Sequence, residues 1–463
     1  VALILYRLFL WLYQLGILVV SPWNPKARLW LAGRKNLFKD LEKTFGSGQW
    51  SVVSGQSASN PDSRLTTDDS RLIWFHCASL GEFEQGRPLL EEMRAQYPHC
   101  RILLTFFSPS GYEIRKNYSG ADYVCYLPVD SPANAAAFLE LVKPSLVIWV
   151  KYDYWYYYLS AIHKKGIPLL LVSGIFREEQ PFFKWYGSLH RQMLSRFTHL
   201  FVQTSDSKKL LGTRGFTGNV SVSGDTRFDR VVAIAEQFQP IPVIETFIGN
   251  APVIVAGSTW EEDEEELDHY ANTHPEIKFI IAPHEIDEEH LKDIEKLFHH
   301  SVRYSAMVNG QWSMVNSQSS IGNSESSIAD PASGIRHPVF PNVVIIDNIG
   351  LLSKLYKYAT IAYIGGGFGY DGVHNVLEAA VYGKPVVFGP EYEKYAEAIG
   401  LVDSGGAFSI DNALELEDCL NILLGQAGKY DTAGAAAKEF VYANRGATEK
   451  IFQFIQEKRL LTS

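Results

Sequence analysis

"IGGGFGYDGVHNVLEAAVYGKPVVFGP", residues 364–390, is the stretch on which the reading of the fold turns. Thr360 to Ile364, leading into it, has the pattern of a strand, and Asn375 to Tyr382 that of a short helix ended by Gly383. A strand that enters a glycine-rich turn and then a helix start exposes backbone N–H groups and the positive end of a helix dipole. The expectation is an anion at this turn, at the edge of a parallel sheet.

The same rhythm continues outward on both sides. "VIVAGST", "KFIIAPH", "NVVIIDN", "TIAYIGG" and "PVVFGP" are strand-like, and so, earlier in the chain, are "RLIWFHCAS", "CRILLTFFS", "SLVIWVKY", "IPLLLVSG", "HLFVQTS" and "NVSVSGD". Helical stretches separate them, which argues for parallel sheets covered on both faces. Prolines break the periodicity at 236–252, and 463 residues exceed what one ordinary core encloses. The chain therefore reads as two doubly wound α/β domains, 36–240 and 241–445, facing a cleft, with an N-terminal segment 1–35 and a C-terminal helix 446–463. A polar loop is expected at 54–70 and a mobile Ser/Asn-rich insertion at 309–338.

Composition narrows the class. The formal net charge is −10, yet residues 1–43 carry seven basic side chains against Asp40 and Glu42. A basic end on an acidic body suits contact with anionic lipid and argues against nucleic acid. Cys77, Cys100, Cys125 and Cys419 show no CxxC spacing and read as core thiols, with neither a metal nor a disulfide framework.

"VALILYRLFLWLYQLGILVV" is near bilayer-spanning length but is interrupted by Arg7 and Gln14, and no small-x-small cleavage site follows, which argues against a secretory signal. Three readings stand: a spanning helix, a helix lying in the interface with Trp11, Trp23 and Trp30 as belt residues, or a buried core helix. For the first two, Lys26, Arg28, Arg34 and Lys35 put the bulk of the chain on the cytoplasmic side.

In open parallel sheets ligands collect at the carboxyl ends of the strands. Glu82, in Ser79-Leu-Gly-Glu-Phe-Glu, falls at such a turn and can serve as a general base if partial burial lifts its pKa; a carboxylate that merely complements a helix dipole is the alternative. Glu84 points elsewhere. The acidic run 261–266 reads as the solvated, capped start of a helix, with Thr259 to Glu262 as a capping box, rather than as a metal site. The aromatic and basic stretch 176–197 reads either as a wall for a lipid-linked acceptor or as ordinary core.

The glycine turn itself admits two chemistries. Gly367-Phe-Gly369-Tyr-Asp-Gly372 matches GxGxxG, with Glu391 beyond it, which would suit a dinucleotide-dependent oxidoreductase. A sugar-nucleotide site would instead use His374 and Asn375 near a phosphate and Glu378 on a ribose. A non-enzymatic membrane scaffold is a third class.

Ala78-Ser-Leu-Gly-Glu-Phe, Ser108-Pro-Ser-Gly111, Gly224-Asp-Thr-Arg-Phe228, Gly350-Leu-Leu352 and Gly372-Val-His-Asn-Val-Leu-Glu378 occur in this order. Together they resemble the 3-deoxy-D-manno-octulosonic acid (Kdo) transferases of lipopolysaccharide assembly, across nearly the whole chain. The resemblance implies an α/β GT-B fold, two Rossmann-like domains and a membrane-anchoring N-terminal helix. It implies an inverting glycosyltransferase that moves Kdo from CMP-Kdo to a lipid A precursor, lipid IVA, at the cytoplasmic face of the inner membrane. Another transferase of this fold acting on a membrane lipid is the nearest alternative. No cofactor is implied beyond the donor substrate CMP-Kdo, and the expected partners are the lipid acceptor and the membrane surface.

Residue by residue, Glu82 falls on the family's catalytic base. Asp153 and Arg227 fall on positions tied to stabilising the transition state, where the family usually carries Glu and Lys. The CMP-contacting segments map to Pro283 and His284, to Gly350, Leu351 and Leu352, and to Asn375, Val376, Leu377 and Glu378. Many relatives read Pro-Arg-His where this chain has Pro283-His284-Glu285, so a phosphate-facing Arg is missing.

Overall fold

The computed structural model describes residues 2–46, 71–151, 153–310, 327–329, 336–338, 341–370 and 372–461. It divides into two units, Val1–Arg230 with Arg445–Ser463, and Val231–Asn444. The loop expected at 54–70 lies outside the described residues.

The first unit is built on seven strands: β1 (Leu72–Cys77), β2 (Arg101–Phe106), β3 (Tyr123–Tyr126), β4 (Leu146–Val150), β5 (Leu169–Gly174), β6 (His199–Val202) and β7 (Val220–Val222). They lie in the order β3-β2-β1-β4-β5-β6-β7, every pair parallel. Six of them are the strands read from the sequence. The four residues of β3 show too little pattern to announce a strand.

Alternate side chains on each strand serve opposite faces. Trp74, Leu103, Val147, Trp149 and Leu171 enter one core, while Ile73, Phe75, Ile102, Ile148 and Leu170 enter the other. The strands are mainly apolar because both faces are covered. Ile451, Phe452 and Ile455 of the C-terminal helix Ala447–Glu457 fill part of the second core. The Asp229 carboxylate fixes that helix at its start, accepting from Gly446 N at 2.5 Å and Thr448 N at 2.7 Å.

The apolar helix Ala2–Val20 is long and apolar enough to cross a membrane, by length and composition. It is nevertheless docked on the first unit along one stripe. Leu10 is buried, and Leu3, Tyr6 and Ile17 pack against the cores beneath, while Leu5, Leu8, Phe9, Leu12 and Leu15 face outward. Of the three readings, the fully buried core helix is thereby corrected, because most of its apolar side chains are exposed.

A buried carboxylate stitches the helix down. Asp130 accepts from the Tyr6 hydroxyl at 2.6 Å and from the backbone N–H groups of Tyr157 and Tyr158, both at 3.0 Å. It thus satisfies the start of helix Tyr156–Lys164 and the N-terminal helix together.

The second unit contains β8 (Val253–Thr259), β9 (Lys278–Pro283), β10 (Ser301–Arg303), β11 (Ser327–Ala329), β12 (Arg336–Pro338), β13 (Val343–Ile345), β14 (Ile361–Ile364), β15 (Val386–Phe388) and β16 (Ala407–Ser409). Seven form a parallel sheet in the order β10-β13-β9-β8-β14-β15-β16. The five read from the sequence are joined by β10 and β16, whose Ser-Val-Arg and Ala-Phe-Ser carry no apolar run. Within the stretch expected as a structureless insertion, β11 and β12 pair antiparallel; most of its remaining residues lie outside the described ones.

Asp130→Ala leaves one hydroxyl and two backbone donors in the interior without an acceptor. Its expected cost is roughly 2–4 kcal/mol, read as a lowered urea midpoint, with Asp130→Asn costing less.

Candidate active site

In each sheet the chain first runs to one side of the opening strand and then returns to the other. That makes a switch point, between β1 and β4 in the first unit and between β8 and β14 in the second. Glu82 lies in the first turn of helix Leu80–Gln96, directly after β1. Asp153 follows β4. The two carboxylates therefore flank the first switch point.

Their surroundings separate them electrostatically. Burial pushes Glu82 up from the ordinary carboxylate range, while backbone N–H groups and the Lys151 ammonium oppose the shift. The Ser79 hydroxyl also donates to Glu82 Oε2. Burial pushes Asp153 up to about 7, the charge of Glu82 adds to that shift, and Trp155 partly opposes it. The pair is arranged so that Glu82 ionises first and Asp153 keeps a proton near neutrality.

Lys151, which sequence reasoning passed over, stands between them in the chain with φ +55°. Such a conformation in a non-glycine residue is costly and is often found at functional sites. No sequence signal marks it beyond its place directly after a strand.

Arg227 comes from the far side of the sheet, on helix Thr226–Glu236 after β7. The start of that helix reaches the Glu82 helix, since the Thr226 hydroxyl donates to the Gln85 carbonyl. The guanidinium itself is turned onto Asp225, donating through Nε at 2.9 Å and Nη2 at 2.7 Å. The structure thus couples Glu82 with Asp153 and holds Arg227 on a local acid. Glu84 is paired with Arg115 at 2.8 Å.

The stretch 176–197 divides by burial. Phe182 and Phe183 are core, whereas Trp185 is 91% exposed and Tyr186 is exposed beside it.

In the second unit the glycine turn meets an anion that belongs to the chain itself. Asp263, 1% exposed, accepts from Gly366 N at 2.8 Å, Trp260 N at 3.0 Å and the Tyr363 hydroxyl at 2.8 Å. A Cβ on Gly365 would lie 2.3 Å from the Ser258 carbonyl oxygen, and one on Gly367 would lie 2.5 Å from Gly389 N. These glycines are needed for backbone to pass backbone, which corrects the reading of the turn as built for an external anion alone.

Two related expectations are corrected with it. The acidic run is not simply a solvated face, since Asp263 and Glu264 are both buried; Glu264 accepts from Thr259 Oγ1 at 2.7 Å and lies 2.9 Å from His290 Nε2. The helix expected from Asn375 to Tyr382 is the single turn Leu377–Ala380. A one-turn helix carries little macrodipole. Asn375 is engaged locally, accepting from Leu377 N at 3.3 Å and donating to Glu378 Oε1 at 3.0 Å.

The remaining second-unit candidates gather at one sheet edge. Pro283 ends β9 and His284 follows it; Gly350, Leu351 and Leu352 follow β13; Asn375, Val376, Leu377 and Glu378 follow β14. β13, β9, β8 and β14 are neighbours. Trp260, after β8, joins this edge. Its indole donates to His374 Nε2 at 3.1 Å, and the His284 ring stacks 4.6 Å from Trp260 and 4.5 Å from His374. Because the indole and the His374 ring touch edge to edge, both lie on one side of His284. Among the described residues no cluster of three or more His, Cys, Asp or Glu is placed to hold a metal ion.

Residues 51–230 match the family model described as 3-deoxy-D-manno-octulosonic-acid transferase. Over 360 residues the chain is 28% identical to the 3-deoxy-D-manno-octulosonic acid transferase of Aquifex aeolicus, covering 76% of this chain and 86% of that one. Over 400 residues it is 23% identical to the Haemophilus influenzae enzyme of the same name, covering 83% and 86%. The chain is thus similar to Kdo transferases over most of its length, and that similarity puts it among the glycosyltransferases.

The fold agrees with this kinship. The UDP-GlcNAc 2-epimerase of Neisseria meningitidis, solved bound to UDP-GlcNAc, superposes with a TM-score of 0.57 at 17% identity, covering 84% of this chain and 100% of that one. Two parallel-sheet α/β domains of GT-B type are therefore the architecture of the chain.

The raised pKa of Asp153 has a signed consequence. The folded chain holds a proton that the unfolded chain releases, so stability present at low pH is lost as pH rises through about 7. Asp153→Asn cannot ionise. Its thermal midpoint is expected to gain on the wild type between about pH 5 and about pH 8, and a constant difference would contradict the assignment.

Proposed function

We propose that the chain transfers Kdo from CMP-Kdo to a lipid A precursor, lipid IVA, with inversion and release of CMP, in lipopolysaccharide biosynthesis at the cytoplasmic face of the inner membrane. The observation that carries the reading is the Glu82–Asp153 pair at the switch point of a sheet within the stretch that matches the family. Glu82 takes the proton of the attacking acceptor hydroxyl. The oxygen bonds to the anomeric carbon of Kdo as the bond to the CMP phosphate breaks, and the phosphate keeps the electron pair. A protonated Asp153 keeps the site from holding two negative charges and so favours an ionised Glu82. Lys151 acts in the same direction.

CMP binding is assigned to the edge formed by Pro283, His284, Gly350 to Leu352 and Asn375 to Glu378. The packing of the glycine turn supports this over a dinucleotide oxidoreductase, because Gly369 N and Gly372 N of the GxGxxG match are already spent on the carbonyls of Gly366 and Gly369. His284, seated on Trp260 and His374, takes the place of the absent arginine beside Pro283. The outward apolar face of the N-terminal helix, with Trp23 and Trp185 exposed, supports attachment in the interface.

Incubation with CMP-Kdo and lipid IVA followed by mass spectrometry tests the reading. The expected product is the acceptor plus Kdo. Glu82→Gln should lower turnover by about 10²–10⁴-fold while CMP binding by calorimetry is retained; full activity in that variant would remove the base assignment. NAD(H) should give no binding heat.

A further inference from the structure

The N-terminal helix carries an inward feature that membrane contact does not require. One heptad after Tyr6, the Tyr13 ring lies 6.0 Å from Trp30, edge-on, and 6.0 Å from Phe107. Phe107 in turn lies 4.4 Å from Trp155 at an interplanar angle of 34°. Trp30, Phe107 and Ala78 form a small cluster of their own, with Trp155 and Ile17 against it. Ala78 precedes Ser79 and the Glu82 turn, and Trp155 follows Asp153 by two residues. The aromatic surface therefore borders the acid pair.

Arg34 braces this surface. Its guanidinium donates to the carbonyls of Phe107 at 2.8 Å, Leu127 at 3.0 Å and Trp30 at 3.2 Å. It lies 4.0 Å from the Trp30 ring centroid, 4.6 Å from that of Tyr126 and 4.9 Å from that of Phe107. Among the described residues no carboxylate pairs with it. Burial pulls its pKa down to about 9. A charge that costly to bury, spent on loop carbonyls, fixes the loops after β2 and β3. Tyr13, at 36% exposure, is the accessible member, whereas Trp30 and Phe107 are buried.

We propose that Tyr13, backed by the buried Phe107 and with Trp155 beside it, forms the surface on which the sugar ring of the acceptor lies, so that the N-terminal helix is part of the substrate site as well as a lipid contact. The inference rests on the transferase reading. A pyranose has a face of weakly positive C–H groups that suits the negative face of an aromatic ring, and its hydroxyls then reach toward Asp153 and Glu82. The same helix turns Leu5, Leu8 and Leu12 outward, where the acyl chains of a lipid-linked sugar would be.

The test uses the full chain in detergent. Tyr13→Ala should raise the acceptor KM about tenfold, with donor KM and thermal midpoint unchanged, and Tyr13→Phe should restore it to within about twofold. Leu12→Ser, on the outer face, should weaken partition to anionic vesicles and leave the acceptor KM in detergent unchanged. Acceptor binding is read separately from quenching of tryptophan fluorescence by lipid IVA without donor. An unchanged acceptor KM and unchanged quenching in Tyr13→Ala would overturn the proposal, as would a matching loss of donor affinity and thermal midpoint. If the wild type binds lipid IVA in a Tyr13-dependent way yet transfers no Kdo, the transferase reading fails and the subsite stands.

Discussion

Two carboxylates placed at one end of a parallel sheet, away from bulk water, cannot both ionise near neutrality without large cost. That constraint governs the first unit. Largely apolar runs such as Leu72–Cys77 and Leu146–Val150 bury the sheet on both faces, so ligand-facing side chains are found at its ends. At the switch point Glu82 is met by a serine hydroxyl, backbone N–H groups and Lys151, while Asp153 is left mainly with burial. The asymmetry gives two similar acids different proton affinities, and it arises from local geometry rather than from residue type.

The second unit solves a related problem by the opposite means. Among the described residues Asp263 is as buried as any carboxylate, yet it is given three donors: two backbone N–H groups and the Tyr363 hydroxyl. Saturated in this way, it is structural, and it locks the glycine turn against the start of its own helix. An acid with its donors supplied shapes a loop; an acid left short of them can do chemistry.

This contrast also shows what could be read in advance. The alternation of apolar runs with helical stretches was enough for two parallel sheets, and Glu82 stood out because it follows a strand in a distinctive run of residues. Asp263 was misread because it sits among five other acids, and its partners Tyr363 and Gly366 arrive from a strand about a hundred residues later. The strands β10 and β16 escaped for a simpler reason, since Ser-Val-Arg and Ala-Phe-Ser lack the apolar run that marks the equally short β13 and β15. The coupling of Asp153 to Glu82 likewise depends on β4 lying beside β1, a fact of topology that no local pattern records.

The N-terminal helix brings these considerations together. A helix that only anchored a domain would gain nothing from a buried aspartate holding its tyrosine, or from a buried arginine donating to backbone carbonyls and bracing the rings it touches. Both features cost free energy unless the position of the helix matters. Asp130 fixes Tyr6 to the start of helix Tyr156–Lys164, and Trp155, the residue before that helix, stacks toward Phe107. The register of the apolar helix is thereby set by the segment that carries Asp153. The docking of the apolar helix and the geometry around the acid pair thus share one set of contacts, with Asp130 at their junction.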